Sequence, residues 1–238
     1  MTENRTDAKI AGTGTITGGT YGNVTIVGAG NVRGDIDCLA FKVGGMADVT
    51  GTVKATSINV GGTGTFNGDI EGGDVVFNGT ADVHGRIVAD LLRIAGTATI
   101  DGAVSAQRVE IRGTAKIGGD VEAESFDGQG VFSIGGLLNA GTVTIRLYGG
   151  SDARDIGGET IDVRQGKPWN ILPFFGERNL TADTIEGDTV YLENTRAKVV
   201  RGANVTIGPD CEIDLVEYTA TFTGSAGVRA SRKVEVVA

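Results

Sequence analysis

The chain has 238 residues, a net charge of −9, 40 glycines, one histidine and two cysteines. Binding phosphate needs a clustered basic face, so this charge balance argues against nucleic acid as a partner. No apolar run reaches the ~18 residues of a spanning helix, and the opening MTENRTDAK is polar, so neither a membrane span nor a signal peptide is expected.

Residues 10 to 27 read as an imperfect first turn of a repeat, in which Val24 and Ile26 fit a strand and Ile16 stands one residue out of register. From Gly28 the register is strict. Steps of seventeen land on Gly28, Gly45, Gly62, Gly79, Gly96, Gly113 and Gly130, and a second ladder runs through Gly34, Gly51, Gly68, Gly85, Gly102, Gly119 and Gly136. A period of this kind outranks any local signal.

Counting each first-ladder glycine as position zero, position four is Val32, Val49, Phe66, Val83, Ile100, Ile117 and Ile134. Positions eight, thirteen and fifteen are also large and apolar, led by Ile36, Phe41 and Val43. Positions two and ten are small, as in Ala81 and Ala89. The inward positions thus form pairs two residues apart, which is strand alternation, and the pairs are separated by three corners. β-branched residues suit such a pleated, stacked surface. Glycine marks two of the corners, where φ > 0 or close backbone approach makes a Cβ costly. The unit is one turn of a three-sided parallel β-solenoid of about seventeen residues, stacked at the ~4.8 Å spacing of paired strands. The fold class is therefore all-β.

The ladder slips after Leu147, so the regular solenoid is assigned to 10–148 and an irregular insertion to 149–179. Within the insertion, Trp169, Ile171, Leu172, Phe174 and Phe175 crowd into seven residues flanked by Lys167, Glu177 and Arg178. Alternation returns over 180–238, read as further turns and a cap continuous with the first rod. The inward pairs expected there are Leu180/Ala182, Val190/Leu192, Ala197/Val199, Val205/Ile207, Cys211/Ile213 and Val216/Tyr218. Cys38 and Cys211 fall in apolar columns far apart and are expected to be buried and reduced.

Candidate chemistry is sparse. His84 is the lone histidine, at a corner beside Gly85 and without a positioned base. Asp35, Asp37, Asp69, Glu71, Asp120 and Glu122 share two outward columns that could hold a cation, but Lys54 and Arg86 interrupt them. The glycine clusters lack the third glycine of a phosphate loop. No enzyme, cofactor or metal site is expected.

The pattern carried by GTATIDGAVSA (96–106) and GTAKIGGDVEA (113–123) resembles the bactofilin family of bacterial cytoskeletal proteins. Residues 185–218 look like the second half of a longer, Gram-positive type of that family. The resemblance implies a right-handed parallel β-helix in the cytoplasm, peripheral to the inner face of the cell membrane. It also implies nucleotide-independent filaments made by end-to-end contacts, with self as partner and a paralogue as a second candidate. A late hydrophobic residue takes part in such end contacts, which selects Phe222, with Val24 and Ile26 at the opposite end. The aromatic cluster around Trp169 is the expected membrane or partner contact. The rival readings are a non-polymerising binding module, a membrane-associated adapter that displays the insertion, and, more remotely, a β-helix carbohydrate-active enzyme.

Overall fold

A computed structural model describes residues 5–166 and 178–224, and the backbone of 230–232. The chain is all strand and turn, with no helix among the described residues, and every strand pairing is parallel. It divides into two compact units, Met1–Gly119 and Asp120–Ala238, and each is a parallel β-solenoid.

The first unit opens with β1 (Ala8–Ile10), β2 (Thr13–Ile26) and β3 (Ala29–Val43). A short and a long strand then alternate: β4 (Met46–Val49), β5 (Val53–Val60), β6 (Thr63–Phe66), β7 (Ile70–Phe77), β8 (Thr80–Val83), β9 (Ile87–Ile94), β10 (Thr97–Ile100), β11 (Val104–Ile111) and β12 (Thr114–Ile117). Each short strand lies on the next at a step of seventeen, as in Phe66↔Val83↔Ile100↔Ile117. The long strands do the same through Val53↔Ile70↔Ile87↔Val104.

The three expected faces are present, but two of them share one strand. The ladder of the long strands skips one residue per turn (Thr56, Gly73, Asp90 and Gln107), and the chain bends there without leaving the sheet. One unpaired residue makes that corner, so it needs no glycine.

At the first glycine ladder the cause is close approach. A Cβ on Gly45, Gly62, Gly79, Gly96 or Gly113 would overlap the carbonyl oxygen of the equivalent glycine one turn earlier. That carbonyl is held in place because it accepts the N–H of the residue after the glycine above, as in Thr80 N–H to Gly62 O at 2.9 Å. Of the second ladder, Gly34 alone has a left-handed φ, +94°.

The large columns are sealed: Val49, Phe66, Ile70, Val75, Phe77, Ile87, Leu92 and Ile94 are all 0% exposed. Ile16 is in register after all. It pairs Val32 at a step of sixteen, and the missing residue is made up by the bulge between Thr17 and Gly19. The side chain is buried as a result.

The second unit comprises β13 (Val121–Gly128), β14 (Val131–Leu147), β15 (Ser151–Gln165), β16 (Leu180–Leu192), β17 (Thr195–Ile207), β18 (Glu212–Thr223) and β19 (Ala230–Arg232). Its period is not constant. Val143 lies on Ile161 at eighteen, Ile161 on Val190 at twenty-nine, Val190 on Val205 at fifteen, and Val205 on Phe222 at seventeen. Most of the difference falls at one corner, and one-residue register shifts inside β14/β15 and β17/β18 supply the rest. Where that corner is tight, Asn194 and Asp210 take left-handed φ values of 48° and 56°, which Asn and Asp tolerate better than most residues.

The interval 149–179 therefore begins with an ordinary full-length strand, β15, in which Ile156, Ile161 and Val163 are core. The extra length is confined between Gln165 and Leu180. Leu180, Ala182, Val190, Leu192, Val205 and Ile207 face inward as expected. The pair Ala197/Val199 is corrected. Thr195 and Ala197 point in, the bend follows, and Val200 is buried in place of Val199. Thr195 escapes notice in the sequence because it is polar; its hydroxyl is satisfied by donating to Glu193 O at 2.9 Å. Ile213 and Val216 are core, whereas Cys211 and Tyr218 are only half-buried.

Candidate functional site

The acidic columns do not converge. Asp35, Asp69 and Asp120 each accept the backbone N–H of the residue one turn on, Thr52 at 2.8 Å, Arg86 at 3.0 Å and Leu137 at 2.8 Å. They are corner caps, and the signal for them was present in the sequence as an Asp recurring at one position of the turn. Asp37 pairs with Arg5 at 2.8 Å and Glu71 with Lys54 at 3.4 Å. His84 Nδ1 lies 2.7 Å from Asp101 Oδ2, with both side chains more than half exposed. Among the described residues no three of His, Cys, Asp and Glu are grouped to hold a metal. In the second unit Arg201 bridges Glu217 at 2.7 Å and Glu186 at 3.6 Å along an outward column.

Of the residues expected at end contacts, Val24 and Ile26 are 0% exposed, and β1 covers them through Ala8↔Val24 and Ile10↔Ile26. They are core, and no face of either is open. A first-turn strand looked terminal in the sequence because the three residues of β1 are too few to show a period.

Phe222 is different. It tops the inward column Val143, Ile161, Val190, Val205, each at most 1% exposed, yet it is only half-buried. β19 pairs Val216–Tyr218, so among the described residues Thr221–Thr223 has a strand on one side only. The ring of Phe222 stacks on Tyr218 with centroids 5.5 Å apart at 27°. Tyr218 itself stands where the turns below carry Gly158, Gly187 and Gly202. An extra residue in β18, in the register shift after Gly202, makes room for it. The last described turn thus ends in an aromatic pair and a strand edge that no other described strand pairs.

A second feature is the base of the insertion. Trp169, Ile171, Leu172, Phe174 and Phe175 lie outside the described residues. Their point of departure is pinned. Gln165 N–H donates to Glu193 Oε2 at 2.8 Å, and Tyr191 Oη donates to Glu193 Oε1 at 2.7 Å. The Arg164 guanidinium lies 4.3 Å over the Tyr191 ring and meets Asp162 at 2.7 Å, which also holds Arg146 at 2.8 Å. The bond to Glu193 raises the Tyr191 pKa, and the bond to Asp162 raises that of Arg164. The extra residues therefore leave from one braced corner and disturb no register.

Comparison with known proteins agrees with this architecture. Residues 59–138 match the Bactofilin family, described as polymer-forming cytoskeletal. Two relatives from Bacillus subtilis (strain 168) are similar to the chain. The uncharacterized protein YhbE is 46% identical over 102 residues, 41% of this chain and 43% of the relative. The uncharacterized protein YhbF is 47% identical over 85 residues, 34% of each. The chain thus spans less than half the length of either relative. No solved structure matches it significantly. Segment 59–138, where the seventeen-residue turn is regular, is thus similar to the bactofilin family.

Proposed function

We propose that this protein is a structural scaffold that self-assembles into filaments without a nucleotide, through the edge of its last described turn. The observation that carries the reading is Phe222, a large inward side chain half-buried beside a strand edge that has no partner among the described residues. A free parallel edge is a template for another chain, and soluble proteins either cap it or use it. Pairing there satisfies backbone groups and buries two aromatic rings in one step. The family match supports a role in structure over one in catalysis. A paralogue with the same turn geometry would fit the same edge.

The test is electron microscopy of purified protein in nucleotide-free buffer. Filaments are expected for the wild type, with no change on adding ATP or GTP. Phe222→Arg is expected to keep its far-UV spectrum and to elute as a small species, because a charge in an apolar contact is heavily penalised. Filaments of normal length from that variant, or none from the wild type at any concentration, would overturn the proposal.

The insertion supports a second contact, with a membrane surface. Five large apolar residues sit in a segment that the solenoid does not need for its own register and that leaves from a braced corner. One such segment binds weakly, and assembly multiplies it by avidity.

A further inference from the structure

We propose that a groove in the second unit is a docking site for an extended basic segment of another protein, whose lysine or arginine side chains neutralise Glu159 and Asp188. The groove has a volume of about 1230 Å³ and follows the bend that divides each long strand. Its floor is the stack Gly158, Gly187 and Gly202, which carries no side chains. From the level of Asn139 to that of Glu217 it crosses four steps of the solenoid, ~19 Å, which is room for about six residues of extended chain. Pockets for small molecules run to about 1,000 Å³, so the size is that of a peptide.

The walls hold six carboxylates and two guanidiniums. Arg154 is taken by Asp155 at 3.3 Å, and Arg201 by Glu217 at 2.7 Å and Glu186 at 3.6 Å. Asp120 accepts the N–H of Leu137. Glu159 and Asp188 are exposed and have no ion pair or side-chain hydrogen bond among the described residues. They occupy the same place at the bend one turn apart, between the pairs Gly158↔Gly187 and Thr160↔Thr189, so like charges stack at the ~4.8 Å step. Other outward columns set opposite charges one turn apart, as at Lys54–Glu71, Arg93–Glu110 and Arg196–Glu212. The first unit shows what such a bend accepts. Asp37 precedes its bend residue, Leu39, as Glu186 precedes Asp188, and Arg5, from two turns earlier, lies in that groove with its guanidinium 2.8 Å from Asp37. A net charge of −9 disfavours a second copy or an anionic membrane as the occupant. A metal ion is no better suited, since among the described residues no three ligands are grouped to hold one.

The probe is a fluorescein-labelled hexapeptide of alternating arginine and serine, followed by anisotropy at about 0.15 M salt, where exposed charges beyond ~8 Å are screened. Saturable binding is expected. Glu159→Gln with Asp188→Asn is expected to weaken it about tenfold or more. Asp74→Asn with Asp214→Asn, the same charge change outside the groove, is expected to leave it within about twofold. Ala203→Arg places a guanidinium at the bend one turn above Asp188. It is expected to weaken binding to the same degree as the groove pair, while the melting temperature holds or rises. No saturable binding, equal losses in the two double variants, or undiminished binding to Ala203→Arg would overturn the proposal. If Ala203→Arg fails to fold, the two double variants still decide. None of these readouts depends on filaments, so the scaffold reading stands or falls separately.

Discussion

Gly61 and Gly62 are neighbours with opposite obligations. A Cβ on Gly62 would overlap Gly45 O, whereas a Cβ on Gly61 would meet nothing nearer than Val43 O at 3.7 Å. Gly62→Ala must push two turns apart at a corner and is expected to cost roughly 2–4 kcal/mol. Gly61→Ala is expected to be neutral or to stabilise by up to about 1 kcal/mol, because the unfolded chain loses freedom. Denaturant midpoints of the two variants check this directly; equal losses would mean that conformation, and not the carbonyl above, demands the glycine. The cysteines offer a second residue-scale test. Burial, with some help from Asp37, pushes the Cys38 thiol up to about 11, and burial also raises Cys211. Only the thiolate reacts, so native protein at pH 8 is expected to resist alkylation at Cys38 and to label there on unfolding. The sign follows from the raised pKa: the unfolded thiol ionises first, so this site weakens the fold as pH climbs through 9 toward 11. Mass spectrometry of labelled native and unfolded protein reads the outcome, and rapid native labelling of Cys38 would show that it is open.

An isolated strand of four residues such as β10 has no stability of its own. Ile100 is 0% exposed and is held between Val83 below and Ile117 above. Ile100→Asp removes both contacts and buries a carboxylate without a partner, a loss of several kcal/mol that propagates to both neighbouring turns. The expected result is protein that fails to fold, judged by loss of the strand signal in far-UV circular dichroism. A soluble variant with an unchanged melting temperature would contradict the inward assignment. The elements of the first unit were legible because each residue repeats the environment of the one seventeen earlier, so at least five copies vote on every position. In the second unit the corner lengths vary, and periodicity loses that redundancy. Alternation from Ala197 points to Val199, but Val200 is the core residue, because the bend between faces shifts the inward position by one.

For the molecule as a whole, contact with a membrane would run through the segment that holds Trp169, the sole tryptophan. Adding anionic vesicles is expected to shift its fluorescence to the blue and to protect it from an aqueous quencher, more strongly for assembled protein than for Phe222→Arg. Emission that is already blue-shifted and unquenchable without lipid would place the tryptophan against protein and end the idea. The candidate assembly edge was only half visible beforehand. Phe222 stood out as an aromatic among late aliphatic residues, but Tyr218 did not, since its place above three glycines is set by pairing across turns of unequal length.

The sequence by itself determined the repeat, the inward columns and the parallel stacking of the first unit, because glycine and β-branched residues recur wherever backbone approaches backbone or side chains interlock. It also marked where extra residues enter. Only the tertiary structure decided why glycine is required at the first ladder, that two faces share a strand, that Val24 and Ile26 lie beneath β1, and that β15 belongs to the solenoid. These depend on which turn lies above and below a given residue. That neighbour is set by the summed length of every corner between them, and a corner leaves no apolar pattern from which its length can be counted.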